Sequence, residues 1–123
     1  MKNVLRFMKK AMQEAGFRYE LNSYTGKILY PYYVGSYIEG PADNETGHKT
    51  VTFMVEGFTR GDEMQLIEDA GKMEAIFDPV DGLREIMEDG TSIVATYEGS
   101  TPVPVDDMDL KRIQINLQIQ VWP

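Results

Sequence analysis

Along the first fifteen residues the apolar positions recur every three or four. Val4, Leu5, Met8, Ala11, Met12 and Ala15 fall on one stripe, with Lys9, Lys10, Gln13 and Glu14 opposite. That spacing predicts an amphipathic helix over residues 2–15, its apolar face laid on something larger and Gly16 as its C-terminal stop. From Phe17 the period drops to two: Phe17, Tyr19 and Leu21 alternate with Arg18, Glu20 and Asn22, as in a half-buried strand. Ser23-Tyr24-Thr25-Gly26 supplies a turn, and residues 28–39 read as a second extended segment of a hairpin. Pro31 cannot donate to a ladder and is expected at a strand start or on an edge. Gly35 suggests a bulge or bend. Residues 40–48, with Pro41, Asp43, Asn44 and Gly47, form a polar loop.

The third strand is expected over residues 49–59. Val51, Phe53 and Val55 face one way; Met54 and Phe58 face the other, with Thr52 and Glu56. Apolar residues on both faces imply cover on both sides, from the chain's own helices or from a neighbouring chain. Gly61-Asp62 opens a second helix with Asp62 and Glu63 in an acidic first turn, which the helix dipole favours. Leu66, Ile67, Ala70, Met73 and Phe77 make its inner stripe, Pro79 and Gly82 end it, and residues 83–87 form one short further turn. Residues 91–98 are a fourth strand, residues 99–109 a long connection holding Pro102, Pro104 and the acidic Asp106, Asp107 and Asp109. In the last strand Ile113, Ile115, Leu117, Ile119 and Val121 alternate without error against Gln114, Asn116, Gln118 and Gln120. From Leu110 it would span about 40 Å, roughly twice a typical strand. The order α-β-β-β-α-β-β predicts a single α+β domain over residues 1–123: an antiparallel or mixed β-sheet with an N-terminal and a central helix on one face.

Composition narrows the chemistry. With 123 residues, 42% of them apolar, the chain can bury a core without staples. It has no cysteine and a single histidine, His48, which removes thiolate chemistry, disulfides and paired-histidine metal sites. No P-loop or dinucleotide glycine pattern occurs. Asp106, Asp107 and Asp109 lack the fixed alternation and central glycine of a calcium loop. Carboxylates are plentiful in any acidic protein, and His48 lies in the most loop-like stretch, so no catalytic, cofactor or metal residue is assigned and the chain is expected not to be an enzyme. The N-terminal stretch lacks the apolar run of a signal peptide. The most apolar stretch, residues 28–38, is too short to cross a membrane.

The net charge is −8, a poor match for a phosphate backbone, and no sequence-specific nucleic-acid partner is expected. Its distribution is uneven: residues 1–30 carry +4, and the remainder carries −12. A basic first helix on a solvated surface would produce that, and so would a basic face of one subunit meeting an acidic face of the next. Six of the seven tyrosines, from Tyr19 to Tyr37, lie within nineteen residues. They suit either an interface or rings half-buried against the first helix. Strands longer than their helices can cover would leave apolar area and ladder edges open to another chain, and the two long loops fit a binding role. The candidate interface residues are therefore Tyr30, Tyr32, Tyr33, Tyr37, His48, Met54, Phe58, Asp106, Asp107, Gln114 and Gln118.

Several of these features occur together in one family. The amphipathic helix over residues 4–15 is followed by the segment Tyr30-Pro31-Tyr32-Tyr33-Val34-Gly35 and a polar loop with Gly47-His48. Residues 51–58 then run into Thr59-Arg60-Gly61 and a helix, and the chain closes with residues 91–98, an acidic Pro-containing loop and residues 112–122. In that order the chain resembles the tail terminator (tail completion) proteins of long-tailed bacteriophages and their prophage relatives. The resemblance implies a non-enzymatic virion assembly protein in the tail or neck, assembled in the bacterial host cytoplasm. It implies a ring of identical subunits, usually six, that caps the tail tube and joins it to the head connector. The partners would then be the chain itself, the tail-tube protein and the connector protein. The extra turn over residues 78–90 departs from the pattern, and other head–tail neck proteins share the outline. A small ligand-binding or regulatory α+β domain is the reading from a different class.

Overall fold

A computed structural model describes residues 1–107 and 109–123. Its elements are α1 (Lys2–Glu14), β1 (Tyr19–Leu21), β2 (Tyr32–Glu39), β3 (Lys49–Arg60), α2 (Met64–Ile76), β4 (Leu83–Ile86), β5 (Ser92–Val103) and β6 (Leu110–Trp122). The strands form one sheet in the order β1-β2-β3-β6-β5-β4. Every pair is antiparallel except β1 with β2, which is parallel. The domain is α+β with a mixed sheet.

The sheet is organised around β3 and β6, which pair without interruption from Lys49↔Val121 to Arg60↔Leu110. Period-two alternation then sorts their side chains. Val51, Phe53, Val55, Ile113, Ile115, Leu117 and Ile119 are buried beneath Val4, Phe7, Met8 and Met12 of α1 and Leu66, Ala70 and Met73 of α2. Both helices lie on this face. Among the described residues no helix lies on the opposite face, which carries Met54, Glu56, Phe58, Gln114, Asn116 and Gln118.

Several local expectations change. The first two strands are not a hairpin: Tyr19↔Tyr33 to Leu21↔Gly35 is a parallel register, so residues 22–31 must run back to the start of β2. That puts Ile28 and Leu29 outside the sheet and about half exposed, and β2 begins just after Pro31. Gly35 is in regular register with Val55 and makes no bulge. A Cβ there would stand 2.2 Å from the Tyr19 hydroxyl oxygen, so the absence of a side chain is what lets that ring lie across β2. The irregularity falls instead between Tyr97 and Gly99.

Residues 83–87 do not form a turn. Leu83–Ile86 is a strand paired with residues 92–95, stabilised by β5 and too short to show a periodic signal of its own. The connection expected over residues 99–109 begins later, because β5 continues to Val103 with Pro102 paired to Ile113. Pro102 is tolerated because β4 pairs with β5 no further along than Ala95, leaving the rest of β5 with a partner on one side only. Met108, in that connection, lies outside the described residues. In α1, Phe7 is buried and Ala15 exposed; in α2, Ile67 is half exposed and Asp69 is buried. Asp62 and Glu63 precede α2, where Asp62 Oδ1 accepts the Met64 N–H at 2.9 Å.

Gly57 marks a second close approach under the helices. A Cβ there would stand 2.5 Å from the Tyr33 ring and 3.1 Å from Ile113. Both neighbours are buried and cannot swing away. Gly57→Ala is expected to cost about 1–3 kcal/mol and lower Tm by roughly 5–10 °C, measured by thermal unfolding followed by circular dichroism; an unchanged Tm would mean that Tyr33 is not held as described.

Candidate functional site

The helix-free face is built from rows of side chains that the ladder registers set side by side. In one row Tyr32 of β2, Phe58 of β3 and Arg112 of β6 are direct neighbours. Tyr32 stacks on Phe58 with centroids 4.9 Å apart and 16° between planes, and the Arg112 guanidinium lies 5.6 Å from the Phe58 ring centroid. Tyr24 and Tyr30 join the same cluster, 5.0 and 5.7 Å from Tyr32. Such cation–π and ring contacts contribute about 0.5–1.5 kcal/mol each beyond area burial. Burial first and neighbouring Tyr30 second raise the Tyr32 phenol above its ordinary pKa.

The acidic loop is tied to the same cluster through Arg60. Its Nε donates to the Tyr30 hydroxyl at 3.3 Å, and its Nη1 lies 3.1 Å from Asp107 and 3.6 Å from Asp109. The backbone N–H of Asp109, and then Arg60, hold the Asp107 carboxyl below the usual carboxylate range. Arg112 pairs with Glu56 at 2.5 Å, while its Nε is the one buried side-chain nitrogen or oxygen without a hydrogen-bond partner among the described residues.

Further along the face, Met54 lies between Ser36 and Asn116, and Thr52 between Ile38 and Gln118. Gln114 Nε2 donates to Asn116 Oδ1 at 3.1 Å. At the far end His48 stacks on Trp122 at 4.9 Å, and its Nε2 lies 2.5 Å from Gln120 Oε1, which also accepts from Thr50. The result is a half-buried surface of rings, amides and one methionine spread over β2, β3 and β6.

Of the expected interface residues, Tyr32, Met54, Phe58, Gln114 and Gln118 share this face. Tyr30 and Asp107 are joined to its edge through Arg60, and His48 closes its other end. Asp106 is exposed in the loop beside them. Tyr37 points to the helix side and is partly buried against the core. Tyr33 cannot be a contact residue. It is fully buried under the helices, because its partner in the ladder is Gly57 and its ring fills the space a side chain there would take.

Asp69 was not anticipated. Its Oδ2 accepts from the Tyr33 hydroxyl at 2.5 Å and its Oδ1 from Gln65 Nε2 at 3.0 Å, with Lys72 Nζ 3.8 Å away. Both oxygens are engaged, so the carboxylate serves to tie α2 to β2 rather than as a base. The available signal was its spacing, since Leu66, Asp69, Ala70 and Met73 share one helix face. Among the described residues no group of three or more His, Asp or Glu side chains could hold a metal ion, and no helix is long and apolar enough to cross a membrane. The chain matches no protein-family model and no curated protein.

The Tyr33–Asp69 bond makes stability alkali-sensitive. Burial first, then the hydrogen bond and charge of Asp69, raise the Tyr33 pKa well above its ordinary value of 10.0, and burial raises Tyr19 likewise. The folded chain therefore keeps protons that the unfolded chain sheds, and stability falls as pH rises past about 10. Urea unfolding between pH 8 and 11 is expected to show that decline. Tyr33→Phe should lower stability at pH 8 by about 1–3 kcal/mol and flatten the decline; an unaltered slope would refute the assignment.

Proposed function

We propose that this chain is a non-enzymatic assembly subunit of a bacteriophage or prophage tail. In this reading, copies close into a ring that caps the tail tube and offers a surface to the head–tail connector in the virion neck. The observation that carries the reading is the sheet face without helices. Three strands present Tyr32, Phe58, Met54, Asn116 and Gln118 there, and the described residues supply no second layer to cover them. The helices and the sheet already make the two layers of one core, and the free face of a mainly antiparallel sheet is ordinarily polar; here it carries stacked rings and a methionine instead. Aromatic rings, methionine and arginine interleaved with amides are the composition of a protein contact surface. The order of elements supports the same reading through the resemblance to tail terminators, and a subunit carrying +4 at one end of its chain and −12 in the rest suits head-to-tail contacts that close.

Negative-stain imaging of purified protein beside light scattering tests this. Annuli and a mass several times the 14.0 kDa of one chain are expected. Met54→Glu, which places a charge in the middle of the helix-free face, should reduce the mass to that of one chain while leaving the circular dichroism spectrum unchanged. Monomer at every concentration and salt, with a saturable thermal shift from a small molecule, would overturn the proposal in favour of a ligand-binding domain.

A further inference from the structure

The sheet ends in two steps. On one side β1 covers only residues 33–35 of β2, leaving Ser36–Glu39 with an unpaired outer edge. On the other, β4 covers only residues 92–95 of β5, and the Tyr97 N–H is taken by the Phe77 carbonyl at 2.8 Å. Residues 98–103 then have an unpaired outer edge. These gaps lie at opposite corners. The register runs Ile38–Thr52–Gln118–Thr96 across one end of the sheet and Tyr33–Gly57–Ile113–Pro102 across the other.

We infer that the two steps are halves of one lap joint between copies of this chain, with residues 36–39 of one copy adding to residues 98–103 of the next. The inference rests on the assembly reading above and adds to its contact through the helix-free face a second one, edge to edge. Within a chain β2 runs antiparallel to β5, since three antiparallel steps separate them. A neighbour in the same orientation therefore offers β5 antiparallel to β2, with its helices on the same side of a continuous sheet. Its residues 98–103 continue the line of β1, and its β4 continues the line of β2, so each short edge strand fills the gap left by the other copy. Pleating matches as well: Ile38, 63% exposed, and Thr101 and Val103 all lie on the helix-free face, while Tyr37 and Pro102 lie on the helix side. Pro102 and the Tyr97–Gly99 irregularity limit pairing to a short lap, which suits a closed ring more than an open-ended fibre.

The grooves beside both edges carry charges of both signs, Arg6, Lys9 and Glu20 beside β1 and Glu63, Asp107, Lys111 and Arg112 beside the open part of β5. Strand direction, pleat and the complementary steps therefore specify the joint. The stagger tilts the strands to the ring axis, as closure of a sheet requires.

The chain has no cysteine, so engineered pairs read the joint directly. Ile38→Cys is combined with Thr101→Cys and, for the register two residues away, with Val103→Cys. Within one chain the two positions are three strand spacings apart, about 14 Å, beyond the roughly 7 Å reach of a disulfide. Mild oxidation of the full-length protein at high concentration should give a covalent ladder of multimers from at least one double variant. A mixture of the single variants should stop at dimers, and each single variant alone should stay monomeric. Dimers from Ile38→Cys alone would overturn the head-to-tail joint in favour of a two-fold one. Loss of the ladder in both double variants would overturn the lap joint. Light scattering on those unlinked samples then separates the readings: multimers would leave the assembly proposal standing on another surface, and monomers alone would remove both.

Discussion

The antiparallel ladder between β3 and β6 is the constraint from which the rest of this molecule follows. Twelve consecutive pairs lock the two longest strands in one register, and a slip of one residue would turn every side chain to the wrong face. With that register set, the apolar odd-numbered positions point together and only one face can bury them. Both helices go to that face. The other is left with residues that are half-buried by their neighbours in the sheet alone.

Tying the layers together takes a polar contact as well as apolar area. Tyr33 rises from β2 into the space over Gly57, and its hydroxyl reaches Asp69 on α2. A buried carboxylate is costly unless its oxygens are bonded, and here Tyr33 and Gln65 occupy both. This tie sets the position of α2 on the sheet. The side of α2 carrying Ile67 is left half exposed.

The chain thus has one finished side and one unfinished side. The helix layer is closed and polar ties secure it, whereas the second face and two diagonal edge segments are not covered by the described residues. Edges on soluble domains are usually short, charged or interrupted. β1 and β4 obey that rule with three and four residues, and it is because they are so short that parts of β2 and β5 stay open.

What the amino-acid sequence determined by itself is local and periodic. The helix at Lys2–Glu14 was legible because apolar residues recur at its own period, β6 because its apolar residues alternate in twos without interruption, and β3 because Val51, Phe53 and Val55 do so over a shorter run. The face shared by Tyr32, Met54, Phe58, Gln114 and Gln118 was partly legible for the same reason, since parity along a strand assigns a side. Tertiary structure decided what parity cannot. The parallel placement of β1, the strand Leu83–Ile86, the burial of Tyr33 and Asp69 and the half exposure of Ile67 all depend on which segments lie side by side. A three- or four-residue strand has too few positions to carry a period, and a glycine such as Gly35 or Gly57 signals a need for space without naming the ring that fills it. Pairing between distant segments is a property of the folded sheet, and with it came the stepped edges that no single stretch of sequence contains.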